Sequence, residues 1–552
     1  MSDIKTVVIV GGVAGGASTA ARLRRLSDDI DVIVLERSGY VSFANCGLPY
    51  HLSSTIAERD DLLLATPESL HTRFRLDVRV NTEVTSIDPA RRVVSASNLA
   101  TGTTYELDYD ALVLSPGATP IVPDIPGAGR GFSLRDVEDL DRMITGVARA
   151  RDVVVVGGGF IGLETAENLR LRGLNVTIVE LGNQLLAPLD PEMAGPVLDE
   201  VRRHGVGVEL GVAATAITPD AVTVSDGRSL PADAVIFAIG VRPDATLARA
   251  AGLEVGALGG IVVDTRMRTS DPHIWAVGDA VEKTDLLDAN ATLTPLANLA
   301  NRQGRRAADS ITGLNPDVPP SQGTAIVKVF DLAAAATGWN EKRLAAAGHD
   351  FLAIHTHPTA HASYYPGAES LALKLLVSPH DGTILGAQAV GYSGVDKRID
   401  VLATAMRAGM RGCDLADLEL AYAPPFGSAK DPINILGYIA EDRRRGGAGA
   451  IDWSQVADQV ASGWGVLDVR TEVEFADGSI EGSINIPLDE LREHIGEIRG
   501  QRWIVVCGQG QRAHVAASLL QAQAIEVANL DGGWLTWQAS PAGRAATRVS
   551  PG

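Results

Sequence analysis

One structural unit is written twice in this chain: a short apolar strand, a glycine-rich turn, a helix, and a second strand ending on a glutamate. In the first copy Lys5 to Val10 reads as the strand and Gly11-Gly12-Val13-Ala14-Gly15-Gly16 as the turn. A helix then runs from about Gly15 to Leu26, and Asp31 to Leu35 leads into Glu36. In the second copy Asp152 to Val156 is the strand, Gly157-Gly158-Gly159-Phe160-Ile161-Gly162 opens the helix, and Asn175 to Val179 leads into Glu180. Glycine lets a pyrophosphate approach the backbone, and the helix N-terminus offers N–H groups and a positive dipole end. The carboxylate after the second strand takes ribose hydroxyls. Read only as helix-packing glycines, the turns would say nothing about ligands, but two complete units predict two dinucleotide sites in two doubly wound α/β domains. The middle glycine of the first turn is replaced by Val13, whereas the second turn fits fully. A 2′-phosphate would be repelled by Glu180, and Leu181 and Gly182 supply no cation for one, so NADH is favoured over NADPH.

The chain has 552 residues, enough for three to four domains. Its formal net charge of −20 argues against nucleic acid or an anionic membrane as partner. The three cysteines, Cys46, Cys413 and Cys507, are too few and too scattered for a disulfide framework or a zinc motif, and they fit a reducing compartment. Met1 to Val10 lacks a basic start and a long apolar stretch, and no apolar run approaches the ~20 residues of a membrane span. The expectation is a soluble, cytoplasmic protein without a metal. His355, His357 and His361 have an H-x-H spacing, but no second cluster completes a metal site, and Cys413 reads as structural.

A different α+β pattern runs from about Gly323 to Asp442. Residues 443–452, opening with Arg443-Arg444-Arg445-Gly446-Gly447, read as a linker and solvated hinge. The last hundred residues or so alternate helix and strand again, enough for one small domain.

Further motifs give these units a family likeness. Ser115-Pro116-Gly117-Ala118 follows a strand, and Gly240 lies in Ala238-Ile239-Gly240-Val241-Arg242-Pro243-Asp244. A third is Ala276-Val277-Gly278-Asp279-Ala280. Together they resemble the two-dinucleotide-domain flavoprotein disulfide reductases over residues 1 to about 442. That resemblance implies FAD at the first site, held by Gly11 to Gly16, Glu36, Arg37, Ser42, Asn45, Ser115, Gly117 and Ala118. By match, Gly278 and Asp279 hold the ribityl chain, and Pro295, Leu296 and Ala297 reach the pyrimidine edge. Phe160 matches the aromatic that covers the flavin until nicotinamide displaces it, beside Ile161, with Glu164 following on the same helix.

Ser42-Phe43-Ala44-Asn45-Cys46-Gly47 narrows the likeness. Most disulfide reductases carry two cysteines in an internal disulfide, but here no other cysteine lies within the first 400 residues. A lone thiol must pair with something exogenous. The motif resembles the coenzyme A-disulfide reductase branch, in which the cysteine forms a mixed disulfide with CoA. Tyr364-Tyr365-Pro366-Gly367 and Tyr422-Ala423-Pro424-Pro425 resemble that branch as well. The resemblance implies tyrosines (Tyr422 and one of Tyr364 and Tyr365) reaching a partner subunit's site, hence a homodimer. Arg22, Arg25, Ser42 and Asn45 are the candidates for a CoA ligand. The close rival is the lone-cysteine NADH oxidase or peroxidase branch, where the thiol cycles through sulfenic acid. Its first-turn histidine is Ala14 here, which favours CoA disulfide, persulfide or polysulfide as acceptor. A redox sensor or sulfur carrier is the alternative outside catalysis.

Near the C-terminus stand Leu467-Asp468-Val469-Arg470, Glu474-Phe475, Gly478 to Pro487, and Val505-Val506-Cys507-Gly508-Gln509-Gly510-Gln511-Arg512, then Leu530-Asp531-Gly532-Gly533-Trp534. This resembles a rhodanese domain, in which a loop from Cys507 to Arg512 cradles sulfur with backbone N–H groups. Arg512 is placed to hold the loop or an anionic substrate. The expected architecture is α/β throughout. An FAD domain takes residues 1–118 and 245–322, an NAD(H) domain 119–244, an α+β dimerisation domain 323–442, and a rhodanese domain 453–552.

Overall fold

The computed structural model describes residues 4–314, 317–447 and 449–548. The chain separates into two compact units: residues 1–183 with 205–323, and residues 184–204 with 324–552.

The first unit holds both predicted repeats. Strands Asp77–Arg79, Asp31–Leu35, Thr6–Val10, Ala111–Leu114 and Ile274–Ala276 form a parallel sheet in that order. Thr6–Val10 sits in the middle because its residues are apolar and β-branched on both faces, the composition of a strand covered on both sides. Val7 and Ile9 pack on one side against Leu23, Ala307 and Ile311, and Val8 and Val10 on the other against Val84, Ile261 and Ala280. The second repeat gives a parallel sheet ordered Gly207–Leu210, Asn175–Glu180, Asp152–Val156, Ala234–Phe237. Each parallel sheet carries a separate three-stranded antiparallel companion, Thr82–Asp88 with Val93–Asn98 and Thr104–Asp108, and Ala214–Ile217 with Ala221–Val224 and Ser229–Pro231.

In the second unit an antiparallel sheet runs Ala325–Val329, Leu332–Gly338, Ile384–Gly391, Leu371–Val377, Leu352–Thr356. Ile384–Gly391 is buried along its whole length and helix Val395–Arg407 covers it. The helix Pro191–Arg203 lies in the sequence range expected for the NAD(H) domain, yet it packs within this second unit, against Ile384–Gly391 and helix Gly533–Ala539. The C-terminal domain is a parallel sheet ordered Gly449–Ile451, Val527–Leu530, Arg502–Val506, Trp464–Asp468, Ile484–Asn485.

The stretch read as a solvated hinge is partly built into these elements. Arg443 and Arg444 end helix Pro432–Arg444, and Gly449–Ile451 is the edge strand of the C-terminal sheet. A run of arginines followed by glycines has linker composition, but the pairing that orders it comes from Val527–Leu530, about 80 residues away, and leaves no local signal.

Candidate active site

The two glycine turns have the same geometry. Gly11 has φ +93°, and a Cβ there would stand 2.2 Å from the Ser115 carbonyl oxygen; Gly157 has φ +114°, and a Cβ there would stand 2.3 Å from that of Ala238. Both turns are therefore closed to side chains and bring bare backbone up to the helix N-terminus. The paired acids match too. Glu36 accepts from the Gly12 N–H at 2.7 Å and the Ser38 N–H at 2.9 Å. Glu180 accepts from the Gly158 N–H at 2.7 Å and the Gly182 N–H at 2.6 Å. Burial pushes the Glu36 carboxyl up, against those backbone bonds and the charges of Arg135 and Arg37. Val13 costs the first turn nothing, since it is the residue before helix Ala14–Leu26 and leaves the Gly11 and Gly16 approaches intact.

Ser115 and the turn Gly278–Ala280 close over the first cradle. The Ser115 hydroxyl lies against Gly15 and Gly278, and the Gly278 N–H donates to Gln303 Oε1 at 2.9 Å. Asp279 Oδ1 is buried without a hydrogen-bond partner. Burial pushes its carboxyl up, and Lys283 opposes this. An orphaned carboxylate oxygen beside a glycine cradle and a buried ribose-type acid is the donor set expected by a flavin dinucleotide, so the residues present fit FAD. Lys283, which the sequence did not single out, donates from Nζ to the Gly278 and Val281 carbonyls at 2.8 and 3.0 Å and is lowered by burial to about 8. Gly117, Ala118 and Gly240 sit where strand Ala118–Pro120 pairs with Val241–Pro243. Pro295 and Leu296 precede helix Ala297–Ile311, which packs on Ala14–Leu26.

Cys46 occupies the short turn Asn45–Gly47 and is solvent-exposed on one side. Its thiol lies 3.8 Å from Asn45 Oδ1. The packed side of the turn decides its chemistry: burial, then the carboxylates of Glu164 and Asp279, push the thiol up. Ser42, at φ +51°, donates its N–H to the Gly12 carbonyl, which ties this segment to the first cradle. Glu164 comes from helix Phe160–Leu171, opened by the second cradle, with Phe160 half-buried and Ile161 exposed at its start. Tyr50, absent from the sequence reading, donates its hydroxyl to Glu164 Oε1 at 3.1 Å. The Ser53 hydroxyl donates to Asn168 Oδ1 at 2.6 Å and Arg172 to the Leu52 carbonyl at 3.1 Å. Three hydrogen bonds thus hold the cysteine segment to the helix of the second nucleotide unit. Burial pushes the Glu164 carboxyl up, with the Tyr50 hydroxyl opposing.

Three arginines expected at ligands have the following partners within the chain. Arg22 donates from Nε to Asp309 Oδ1 at 2.6 Å, so its charge is matched inside the fold. Arg25 is exposed, with Nε on the Ala21 carbonyl of its own helix. Arg37 lies at the surface, 4.0 Å from Glu83.

In the second unit Tyr364 and Tyr422 meet hydroxyl to hydroxyl at 3.0 Å while remaining 74% and 49% exposed. Tyr365 turns its ring edge-on to His361 instead. Cys507 ends the apolar strand Arg502–Val506 and is only 1% exposed. The Gly510 N–H donates to its Sγ at 3.2 Å, and Gly510, at φ +92°, starts helix Gln511–Ala522. The sulfur thus sits in a backbone N–H cradle at a helix N-terminus, an arrangement that stabilises anionic sulfur. Arg512 forms a two-pronged pair with Glu474 at 2.8 and 2.6 Å, holding that carboxyl down to about 2. It clamps the loop to helix Glu472–Ala476 rather than standing free for an anion.

Residues 5–304 match the pyridine nucleotide-disulphide oxidoreductase family, whose cofactors are FAD and a pyridine nucleotide. Residues 324–431 match that family's dimerisation domain, and residues 452–540 the rhodanese-like domain. The chain is 35% identical over 443 residues to a coenzyme A disulfide reductase of Staphylococcus aureus, covering 79% of this chain and 99% of that protein. It superposes on the reduced CoADR-RHD of Bacillus anthracis with a TM-score of 0.96 and 44% identity, covering 98% of each chain. A NAD-dependent persulfide reductase from A. fulgidus superposes with a TM-score of 0.91 and 37% identity, over 96% of this chain and 100% of that one. No helix among the described residues is long and apolar enough to cross a membrane. By the repeated nucleotide cradles, the single thiol between them and these matches, the chain belongs to the pyridine nucleotide-disulphide oxidoreductase family and carries a C-terminal rhodanese domain.

Proposed function

We propose that this chain is an NADH-dependent flavoenzyme that reduces CoA disulfide, CoA persulfide or polysulfide at Cys46, and that Cys507 handles sulfane sulfur. The observation that carries this reading is a lone, one-side-exposed thiol on a turn tied both to the first cradle, through Ser42, and to the helix of the second, through Tyr50 and Glu164. With no second cysteine nearby, the disulfide partner of Cys46 comes from the substrate.

FAD, held by the Gly11–Gly16 turn, Glu36, Ser115, Asp279 and the Pro295–Ala297 segment, supplies when bound a two-electron relay between nicotinamide and sulfur. NADH lies on the Gly157–Gly162 turn. The following Leu181 and Gly182 offer no cation for a 2′-phosphate, and Glu180 opposes one. The Cys46 sulfur attacks the sulfane or disulfide sulfur and expels a thiolate, which takes up a proton. Two electrons, entering as the hydride of NADH, then cleave the mixed disulfide on Cys46. In balance, RSSR′ + NADH + H⁺ gives RSH + R′SH + NAD⁺, and a persulfide RSSH gives RSH + H₂S. The proton of the Cys46 thiol leaves with the expelled thiolate as the mixed disulfide forms, while Glu164, held by the Tyr50 hydroxyl and raised by burial, sets the charge beside the thiol.

Exposed Tyr364 and Tyr422, joined hydroxyl to hydroxyl, are the pair offered to a second copy of the chain in a homodimer. The free thiols fit a cytoplasmic setting. Arg25 remains the exposed candidate for the CoA phosphates.

Cys46→Ser tests the reading. The variant is expected to retain FAD and accept hydride from NADH stoichiometrically, yet to lose at least about 10³-fold in disulfide-dependent turnover, as when a covalent nucleophile is removed. Mass spectrometry of the native protein is expected to find a CoA adduct on Cys46. Undiminished turnover by the serine variant, or oxygen as the preferred acceptor, would overturn it.

A further inference from the structure

His355 belongs to no part of the mechanism above, yet it is fully enclosed. It lies on strand Leu352–Thr356 with both ring nitrogens on carboxylates. Nδ1 is 2.6 Å from Asp531 Oδ2 and Nε2 is 3.0 Å from Glu192 Oε1. A carboxylate accepts and does not donate, so both nitrogens carry protons and the ring is an imidazolium. The His355 backbone N–H donates to the same Asp531 oxygen at 3.0 Å. The other oxygen, Oδ1, takes Arg443 Nη2 at 2.7 Å. Asp531 is therefore gripped from outside its own domain, by a sheet strand on one side and a helix end on the other.

What Asp531 carries is the floor of the sulfur loop. Gly532 and Gly533 follow at φ +66° and +65°, and a Cβ on Gly533 would stand 2.3 Å from the Cys507 carbonyl oxygen. The Trp534 N–H donates to that carbonyl at 2.7 Å, and the Leu535 N–H to the Gly508 carbonyl at 3.1 Å. The loop's position is thus set by a turn whose first residue is anchored by two cations. His357, two residues on from His355, donates to or accepts from the Thr536 hydroxyl at 2.7 Å, beyond the turn.

We propose that His355 and Arg443 are positioning residues for sulfur transfer: through Asp531 they hold the Gly532–Trp534 turn that keeps the Cys507 loop closed around its sulfur. This rests on the reading of Cys507 as a sulfur-carrying thiol. The clamp acts on loop geometry, not on the sulfur, so loosening it lets the buried thiol meet solvent more often while leaving Cys46 chemistry alone.

The experiment compares the full-length protein with His355→Gln, Arg443→Gln and Arg443→Lys. Arg443 stands at the rim of the cluster, so its variants keep the test open if His355→Gln fails to fold. Cys507 alkylation by iodoacetamide is followed by peptide mass spectrometry, alongside sulfur transfer from a glutathione persulfide donor to cyanide and NADH-dependent disulfide reduction. Alkylation is expected to rise at least about tenfold in both glutamine variants, from local opening of a loop that is normally shut. kcat for sulfur transfer should fall by a similar factor, with KM for the donor little changed. Arg443→Lys, which keeps a cation on Oδ1, should restore both, and NADH-dependent reduction should stay within about twofold of the parent. Unchanged alkylation in the glutamine variants overturns the proposal, and so does a lysine variant as impaired as Arg443→Gln. A parallel loss of both activities would also overturn it, by showing a general structural defect. A parent protein that moves no sulfur from Cys507 would strike the functional reading instead, and the alkylation rates would still decide the clamp.

Discussion

Lys374→Met removes the ammonium that joins three carboxylates in the buried cluster around Glu192. Lys374 Nζ lies 2.8 Å from Asp190, 2.5 Å from Glu192 and 2.8 Å from Glu341, and its side chain is fully enclosed. Each contact is worth about 6 kcal/mol of Coulomb attraction at an effective dielectric of about 20. Desolvation of the charges cancels much of that, because removing one partner of a buried ion pair costs about 3–5 kcal/mol in practice. Methionine matches the aliphatic stem, so the loss reports the charge and not a cavity. The cost should depend on pH with a definite sign. In the parent, burial pushes Glu192 up, but Lys374 and His355 outweigh it and hold the carboxyl below its ordinary value. Its stabilisation is present above the unfolded value and is lost as pH falls through the folded one. Without Lys374, burial gains ground and the carboxylates rise, so the variant's deficit narrows as they become protonated on acidification. The assay is urea unfolding followed by tryptophan emission at pH 7.5 and pH 5. All of the seven tryptophans except Trp275 lie in the second unit, so the signal reports the unit that contains the cluster. A deficit below about 1 kcal/mol at pH 7.5, or one that widens at pH 5, would refute the reasoning.

Asp279→Leu should release FAD on gel filtration, since it removes the orphaned carboxylate that the flavin chain would satisfy; retained flavin absorbance would show that the oxygen is not a ligand. Glu180→Ala should narrow the preference for NADH over NADPH by about tenfold, measured as the ratio of kcat/KM values, because it removes the group that opposes a 2′-phosphate. An unchanged ratio would place discrimination elsewhere. Arg512→Ala should expose Cys507 and slow sulfur transfer while the Glu474 carboxyl returns toward its ordinary value; sulfur transfer unchanged at every pH would show that the Arg512–Glu474 pair does not support the loop.

Both glycine turns could be read from the sequence because part of the requirement is local: a Cβ on Gly16 would meet the Gly11 carbonyl and one on Gly162 the Gly157 carbonyl, within the same turn. The lone Cys46 and the loop around Cys507 were legible for the same reason. Pairings set by distant chain were not. Arg22 reads as an open cation on a helix face until Asp309, 287 residues later, takes its charge. Tyr50 has no local signal of its partner Glu164, 114 residues away. Arg512 was placed correctly in the loop, but its partner Glu474 belongs to a helix that only the tertiary fold brings close. The acid that helix Pro191–Arg203 contributes to the second unit, Glu192, was equally hidden, because its segment reads as part of the second nucleotide repeat.

Cys46 and Cys507 have contrasting surroundings, and under the proposed function this divides the labour between them. Cys46 is open to solvent on one side, and burial on the other, then the carboxylates of Glu164 and Asp279, push its thiol up. Cys507 instead lies under a backbone N–H at a helix N-terminus, shut from solvent, where an anionic sulfur or persulfide is stabilised without any change in redox state. A sulfur stored there can leave only when the loop opens. Control of that opening therefore falls to the residues that hold the loop's floor, and these come from outside the rhodanese domain: His355 from the antiparallel sheet and Arg443 from the helix that leads into it.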